Sequence, residues 1–292
     1  MQLHRLEGFH WVARTGGYAR AARAFPYPIT QPAVHQQIRK LESDLGVVLF
    51  ERVAKDRVIL TPAGRRLHEF IAPFFDQLPS VVRSVRSGPE GGELHILAPA
   101  LLLRALLPAW VHRLRRRIPN LEVQVREVAA ADVEPLRRGE ADLLVQHLPE
   151  VPPDVNAKRI ATLRGYVIVP KDHRLASRKR VSLKDLADET FISYDPALLA
   201  HDLQMRALRE HGVDPVRTIT ASTYDTIVAF VEAGLGVSAV AVVESAAPRG
   251  RGIVALPIAA PKFELPVYAA WRKSLPDNPV LAAALETAPV VR

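Results

Sequence analysis

The sequence contains no cysteine among its 292 residues. This absence excludes disulfide bonds, thiolate nucleophiles and thiolate metal ligands, and it is compatible with a reducing compartment. Long apolar runs are missing as well, because the longest, residues 96–103 and 239–243, are far shorter than the roughly 18 to 20 residues needed to span a bilayer. The first seven residues also lack the apolar core of a signal peptide. We therefore expect a cytoplasmic protein.

Sequence signatures of catalysis are missing too. We find no glycine-rich phosphate loop, no Gly-x-Ser-x-Gly elbow and no His-Glu-x-x-His zinc motif. The seven histidines from His68 onward form no pair spaced four residues apart. We accordingly expect no enzymatic activity, no metal site and no cofactor.

Positive charge is present, and it is concentrated at one end of the chain. The whole sequence carries 39 Lys and Arg against 31 Asp and Glu, a net charge of +8. Residues 1–66 hold 11 Lys and Arg and 5 Asp and Glu, a net charge of +6. The other residues hold 28 Lys and Arg and 26 Asp and Glu, a net charge of +2. Such local basicity predicts a polyanionic partner, either nucleic acid or an anionic membrane surface. The length, near the limit for one hydrophobic core, predicts two or three folding units.

The basic segment has the pattern of three helices and a hairpin. Apolar residues recur every three or four positions from Leu3 to Val12, and Gly16 ends this first helix, which a second helix at 18–25 follows. Two prolines, Pro26 and Pro28, then break the helical pattern.

The third helix carries the clearest pattern. Thr30 is a good N-cap, Gly46 closes the helix, and an apolar stripe lies between them. Two short strands, 47–50 and 58–60, flank a basic loop, which predicts a helix-turn-helix followed by a wing. The stripe is Val34, Ile38, Leu41 and Leu45, and the opposite face shows Gln31, His35, Gln36, Arg39 and Lys40, whose side chains can reach base edges or phosphates.

These residues resemble the N-terminal domain of LysR-type transcriptional regulators. The motifs that carry the resemblance are Ala21-Ala22-Arg23-Ala24-Phe25, Thr30-Gln31-Pro32-Ala33-Val34, Gln37-Ile38-Arg39-Lys40-Leu41-Glu42, Leu49-Phe50-Glu51-Arg52 and Leu60-Thr61-Pro62-Ala63-Gly64. The chain departs from the family at Thr30 and His35, where serine is usual, and in a longer turn after the second helix. The DNA-contacting residues expected from the pattern and the resemblance are Thr30, Gln31, Pro32, His35, Gln36, Arg39, Arg52, Lys55 and Arg57.

A long helix follows this DNA-binding domain of residues 1–61. An apolar stripe runs from Leu67 to Val85, and the resemblance implies a linker helix at 62–87 that pairs with its twin in a dimer. The alternative is that the stripe packs on its own domain. Pro73 and Pro79 predict a helix kinked or segmented at those positions. Residues 88–92, rich in glycine, predict a hinge.

Residues 93–292 alternate apolar strands with helices, among them helices at about 103–117 and 131–138, which predicts an α/β unit with a mostly parallel sheet. This segment resembles the effector domain of the same family, whose fold is similar to periplasmic solute-binding proteins. The expected architecture is thus an α/β fold with an all-α winged helix-turn-helix head, joined by a linker helix to a two-lobed effector domain. Lobe I would comprise about 93–162 and 266–292 and lobe II about 163–265, with strand crossings near 159–163 and 264–268.

A ligand would lie between the two lobes. Helix N-termini gather at the carboxyl ends of such strands and favour anions, so the default expectation is a small anion such as a carboxylate. Ala100 and Leu101 stand where the family often has Ser or Thr, so the ligand could be partly hydrophobic, the pocket could be reshaped, or the lobes could only assemble subunits. The candidate effector contacts are Pro99, Ala100, Leu101, Gln146, Ser193, Tyr194, Ser222 and Thr223.

The function implied is a regulator that binds double-stranded promoter DNA as a homodimer or homotetramer and responds to a small-molecule effector. RNA polymerase at the promoter is a further partner that the resemblance implies. The alternatives are the same regulator without small-molecule control, a solute-binding module of transporter type, or an enzyme. The attached basic helix-turn-helix argues against a transport module, and the missing catalytic motifs argue against an enzyme.

Overall fold

A computed structural model of the chain describes residues 2–86, 91–129, 132–243, 247–248, 250–259, 263–273 and 278–289. The chain divides into two compact units. The first comprises Met1–Val82 with Arg137–Gly139, and the second comprises Arg83–Leu136 and Glu140–Arg292.

The first unit is the predicted winged helix-turn-helix. Gly16 and Gly46 end the first and third helices in the left-handed conformation, with φ of 66° and 67°, which glycine adopts at little cost. Thr30 caps the third helix, because its hydroxyl oxygen accepts the amide hydrogen of Ala33. The elements are α1 (Leu3–Thr15), α2 (Tyr18–Ala24), α3 (Gln31–Leu45), β1 (Phe50–Ala54), β2 (Arg57–Leu60) and α4 (Pro62–Arg86).

The core of the first unit lies where the apolar periodicity of α1 and α3 placed it, except at Leu3 and Leu45, which are exposed at helix ends. Val34, Ile38 and Leu41 of the α3 stripe are buried against Phe9 of α1, but Leu45, the fourth predicted member, is exposed at the end of the helix. The wing prediction was shifted, because β1 begins at Phe50 instead of residue 47 and continues through Ala54. The turn of the wing is therefore shorter than the predicted loop.

Helix α4 contains both Pro73 and Pro79 and is nevertheless one helix of 25 residues. It is not divided into segments, and a kink stays a prediction. Its apolar stripe divides into two faces. One face packs into the core of the first unit through the buried Ile71 and Phe75. The other, which we call the outer face of α4, is exposed and comprises Phe70, Phe74, Leu78, Val82 and Val85.

The second unit is built around one sheet that curls through both lobes. Its elements are β3 (Gly91–Ala98), α5 (Ala100–Ala105), α6 (Leu107–Arg117), β4 (Asn120–Glu127), α7 (Glu134–Arg137), β5 (Leu143–Gln146), β6 (Val155–Pro170), β7 (Thr190–Tyr194), α8 (Leu199–Glu210), β8 (Arg217–Ala221), α9 (Tyr224–Glu232), β9 (Ser238–Val243), β10 (Ile253–Pro257), β11 (Glu264–Arg272) and α10 (Pro279–Glu286). The strand order of the sheet is β10-β6-β11-β5-β3-β4, with β9 paired to β6, and β7 and β8 form a separate parallel pair.

The long strand β6 explains why there are two lobes. Its first part pairs with β11 from Val155 to Arg164, and its last part pairs with β9 and β10. The two predicted crossings therefore pair with each other, Leu163 opposite Leu265 and Thr162 opposite Pro266. Lobe I has its own core around Trp110, and lobe II has one around Phe191. The two-lobed α/β fold is confirmed, but the main sheet is mixed instead of mostly parallel, because β6 pairs antiparallel with β9, β10 and β11, and β11 pairs antiparallel with β5.

Several boundaries in the second unit differ from the prediction. The helix predicted at 103–117 is two helices, α5 and α6, separated at Leu106 just before Pro108. Gly91 and Gly92, assigned to the hinge, begin β3, while residues 88–90 lie outside the described residues. Strand β10 was missed, and α7 covers only half of the predicted 131–138. In the described part of the chain, no helix combines the length and apolarity of a membrane span.

Candidate functional site

The exposed side of α3 is the first candidate site. Burial of Val34, Ile38 and Leu41 turns the opposite side chains toward solvent, and Gln31, Gln36 and Arg39 are exposed there. Thr30 and Pro32 form the exposed first turn of the helix. We call Thr30, Gln31, Pro32, His35, Gln36 and Arg39 together the recognition face.

His35 differs from its neighbours on this face. Its ring is half-buried, and its centroid lies 4.8 Å from that of Tyr18, the first residue of α2. Burial, followed by the charge of Glu42, raises the pKa of Tyr18, so this side chain stays protonated at neutral pH. Tyr18 thus packs against His35, a contact that was not predicted from the sequence.

The wing holds three predicted cations, and they are not equivalent. Lys55 and Arg57 are exposed beside the turn. Arg52 folds back, because its guanidinium donates to the carbonyl oxygens of Ala54 at 3.2 Å and Lys55 at 2.9 Å. Arg52 thus braces the turn that presents the other two cations.

Glu42 fixes the wing to α3, a role that was also missed. One carboxylate oxygen accepts the amide hydrogen of Leu49 at 2.7 Å and that of Phe50 at 3.4 Å. Arg20 adds a second tie, since its guanidinium donates to the carbonyl oxygens of Gly16 and Asp56. Wing and recognition face are consequently held together as one surface.

Two histidines lie where α1 meets α4. His10 is only 2% exposed, and its ring stacks on His68 at 5.7 Å and on Phe75 at 5.3 Å between centroids. Burial lowers the pKa of His10 to about 4, with smaller contributions from the charges of His68 and Arg14, and burial also lowers the pKa of His68. The carboxylate of Asp76, 3.5 Å from Nε2 of His10, does not outweigh desolvation. Both imidazoles are therefore neutral at pH 7.

The second candidate site is a cavity of about 300 Å³ between the two lobes of the second unit. Gly165 of β6 lines it, and a side chain there would meet Ile258 and Phe263 within 3 Å, so glycine lets these residues close one wall. Six of the predicted effector contacts line the cavity, namely Pro99, Ala100, Leu101, Tyr194, Ser222 and Thr223.

The other two predicted contacts do not line it. Ser193 is buried in β7, since alternate side chains of a strand point to opposite faces and its neighbour Tyr194 takes the cavity side. Gln146 is completely buried in β5, where its amide atoms find no hydrogen-bond partner among the described residues. The position of these residues at strand ends correctly predicted that they lie at the edge of the sheet. It did not predict the direction in which each side chain points.

Several contacts join the two lobes at the cavity. Arg104 of α5 donates from Nη1 to both carboxylate oxygens of Asp225 at 2.6 and 2.8 Å, and its guanidinium lies 4.9 Å from the ring centre of Tyr224. The amide of Leu199 donates to the carbonyl oxygen of Ala129 at 2.9 Å. None of these contacts was predicted, because residues far apart in sequence meet only when the sheet curls.

Gln204 of α8 supports the lobe II side of the cavity. It is 5% exposed, and its amide accepts the backbone hydrogen of Tyr194 at 3.1 Å and donates to Ala239 at 2.7 Å and Ser238 at 3.2 Å. This side chain therefore fixes β7, which carries Tyr194, to β9. The described residues contain no cluster of three or more side chains suited to hold a metal ion.

A winged helix-turn-helix combined with a two-lobed α/β unit and a ligand-sized cleft defines a ligand-responsive DNA-binding regulator. Residues 3–65 match the family model described as bacterial regulatory helix-turn-helix protein, lysR family, and residues 87–289 match that of the LysR substrate binding domain. The chain belongs to the LysR family of transcriptional regulators, which are not enzymes. The resemblance stated from the motifs is confirmed.

Individual relatives agree with the family models. The chain is 30% identical over 247 residues to the RuBisCO operon transcriptional regulator of Allochromatium vinosum, covering 82% of this chain and 79% of the relative. It is 30% identical over 237 residues to the HTH-type transcriptional regulator CysB of Burkholderia cenocepacia, and this match covers 78% of this chain and 74% of the relative.

Solved structures match along almost the whole chain. A full-length OxyR variant of Pseudomonas aeruginosa superposes with a TM-score of 0.69 at 26% identity, covering 99% of this chain and 97% of that one. Full-length CbnR in complex with its target DNA superposes with a TM-score of 0.60 at 24% identity, covering 99% of each chain, and supports the fold.

Proposed function

We propose that this regulator binds promoter DNA as a homodimer or homotetramer through the recognition face and the wing, and that a small molecule in the cleft controls it. The observation that carries the DNA-binding part is the exposure of Gln31, Gln36 and Arg39 on one side of α3, beside Lys55 and Arg57. In helix-turn-helix proteins the N-terminal part of the second helix meets base edges in the major groove.

The side chains divide by the contact that each can make. Gln31, His35 and Gln36 present donors and acceptors suited to base edges, which carry sequence information. Arg39, Lys55 and Arg57 are suited to phosphates, which give affinity without discrimination. Arg52 acts through the turn that it braces. In the first turn of α3, formed by Thr30 and Pro32, the amide of Gln31 is the donor that a phosphate could take, because Pro32 has no amide hydrogen and that of Ala33 is bonded to Thr30.

The outer face of α4 supports oligomerisation. Phe70 is 84% exposed and Val85 is 80% exposed, and the whole face is apolar. A contiguous exposed apolar surface of this kind marks an interaction site. We propose that α4 of a second copy covers it, since a dimer also brings two recognition helices to successive major grooves about 34 to 36 Å apart.

The proposed effector contacts are the six predicted residues that line the cavity, with Arg104 and Gln204 added. Gln146 and Ser193 are left out because neither lines it. The regulator would act in the cytoplasm, beside the bacterial chromosome, with RNA polymerase as its partner at the promoter and without a bound cofactor other than the effector.

Fluorescence anisotropy with DNA from upstream of the chain's own gene, and with random DNA, tests the proposal. Lys55→Ala and Arg57→Ala should weaken binding to both DNAs alike, whereas Gln31→Ala should relax base preference by about 1 to 3 kcal/mol. Lys179→Ala, which removes an exposed lysine of the second unit, is the matched control and should change neither. Equal binding of both DNAs by the unmodified chain would refute specific recognition.

A regulator without small-molecule control is the alternative function. It predicts that variants which fill the cavity leave regulation of the target promoter unchanged, while variants of the recognition face abolish it. Promoter–reporter assays with both kinds of variant separate the two functions.

A further inference from the structure

We infer that the cleft takes an uncharged, mainly apolar small molecule carrying one hydrogen-bond acceptor, instead of the anion that the strand-end position alone predicts. The inference rests on the proposed ligand-binding function of the cleft and names the chemical class of its ligand.

The walls of the cavity are apolar on both sides. Lobe I contributes Leu101, Leu102 and Val128, and lobe II contributes Leu203 and Val240. An ion buried among such side chains loses its hydration and gains no compensating partner, which is far more costly than burying a neutral group. Apolar surface of a ligand would be stabilised there instead.

The positive charge of Arg104 at the cavity is already compensated. Arg104 is the one Lys or Arg among the described lining residues, and both of its short contacts go to the carboxylate of Asp225. The carboxylate of Glu127 lies at the same cavity and is exposed. An anionic ligand would therefore have to displace Asp225 from Arg104, and Glu127 would repel it. Water solvates Glu127, so it requires no cationic ligand.

Two helix N-termini at the cavity are already partly occupied. The amide of Leu199 at the start of α8 donates to Ala129. At the start of α9, the hydroxyl oxygen of Thr223 accepts the amide hydrogen of Thr226 at 3.2 Å, and Asp225 places a negative charge in the first turn. Helix α5, which also begins at the cavity, has no side-chain cap but is only six residues long. The partial positive charge that would attract an anion is therefore reduced at α8 and α9 and small at α5.

Tyr194 supplies one polar contact of the right kind. Its side chain lines the cavity, and its hydroxyl has no hydrogen-bond partner among the described residues. Burial, the main cause, raises the pKa of Tyr194, so the hydroxyl stays protonated and can donate. A carbonyl, ether or hydroxyl oxygen on an otherwise apolar ligand would accept this hydrogen.

The size of the cavity limits the ligand. Its volume of about 300 Å³ lies at the lower end of the range for small-molecule sites. An engineered apolar cavity of about 150 Å³ binds benzene, so this cleft has room for a compound of about two rings.

Two dyes with the same ring system test the inference on the full chain. 5-Dimethylaminonaphthalene-1-sulfonamide is uncharged and carries sulfonyl oxygens that can accept a hydrogen bond, and 5-dimethylaminonaphthalene-1-sulfonate is the same two-ring skeleton with an anionic group. Fluorescence titration should show the uncharged dye binding at least about tenfold more tightly, a difference of about 1.4 kcal/mol. Because the outer face of α4 is also apolar, binding in the cleft is defined as the component that cavity-filling variants remove.

Ala100→Trp and Ala200→Trp fill the cavity from lobe I and lobe II respectively. Each should abolish the cleft component, and a cooperative thermal unfolding transition of the second unit, measured by calorimetry, shows that each variant folds. Ala197→Trp is the matched control, because Ala197 is exposed three residues from Ala200 and does not line the cavity. Its titration should match that of the unmodified chain.

Asp225→Asn tests whether the pairing of Asp225 with Arg104 is what excludes an anionic ligand. Removing that carboxylate leaves Arg104 uncompensated, so sulfonate binding should improve by about tenfold while the uncharged dye changes little. Improvement of neither dye, or of both equally, would contradict the charge argument.

The outcomes separate the inference from the proposed function. If the sulfonate binds in the cleft as tightly as the uncharged dye or more tightly, the ligand class is wrong and the cleft remains the ligand site. If the tryptophan variants remove binding of neither dye, the ligand class and the cleft assignment are both overturned, and the regulator without small-molecule control is favoured.

Discussion

The recognition face and the cleft use the same side-chain types in opposite ways. Gln36 on α3 is exposed with its amide toward solvent, whereas Gln204 on α8 is buried with its amide bonded to three residues. Lys55 and Arg57 present exposed charge, whereas the charge of Arg104 is compensated by Asp225. The first surface is suited to a polyanion in water, and the second to a ligand taken out of water.

The largest expected effect is a difference in salt dependence. DNA affinity should fall by about 10³ to 10⁵ between about 50 and 200 mM salt, as for proteins that neutralise about 6 to 10 phosphates. Binding of the uncharged dye should change less than about twofold over the same range, because no ion pair forms or breaks. Anisotropy and fluorescence titrations on one preparation measure both. A parallel fall of the two affinities would remove the contrast between the surfaces.

The next largest effect is a difference in stability between replacement of the buried Gln204 and replacement of the exposed Gln36. Gln204→Leu leaves the amide of Tyr194 and the carbonyl of Ala239 without partners, so the free energy of unfolding of the second unit should fall by about 3 kcal/mol. Gln36→Leu should leave stability within about 0.5 kcal/mol and weaken specific DNA binding. Calorimetry and anisotropy provide the two readouts, and equal destabilisation by both would contradict the different burial of the two amides.

The exposed glutamine was predictable from sequence and the buried one was not. Helical periodicity fixes which side of α3 is buried, so the positions of Val34 and Ile38 are enough to place Gln36 in solvent. The contacts of Gln204 with Ser238 and Ala239 and the pairing of Arg104 with Asp225 join residues 34 to 121 positions apart. Such contacts depend on how β6 and β11 curl the sheet, which local patterns do not encode. For the same reason strand ends located the cleft, but the side-chain directions of Gln146 and Ser193 were missed.

A buried histidine distinguishes the first unit by its response to acid. The pKa of folded His10, about 4, lies below the unfolded value of 6.5, so stability is complete above pH 6.5 and falls as the pH drops toward 4. Between about pH 7.5 and 5 the loss should be about 2 kcal/mol in the protection of α1 amides, measured by hydrogen exchange corrected for intrinsic rates. His10→Phe should remove this part of the pH dependence. His4→Phe, at an exposed position of α1, should not.

The smallest effect concerns two threonine caps, one in each region. Thr30 caps α3 and Thr223 caps α9, and replacing either by alanine should cost about 1 kcal/mol in its helix. Each substitution should affect only the binding function of its own region. Thr30→Ala should weaken DNA binding severalfold with the dye unaffected, and Thr223→Ala should weaken the dye severalfold with DNA binding unaffected. Serine at either position retains the capping oxygen and should restore binding. If Thr223→Ser fails to do so, the methyl group of Thr223 contacts the ligand, and its role is more than that of a cap.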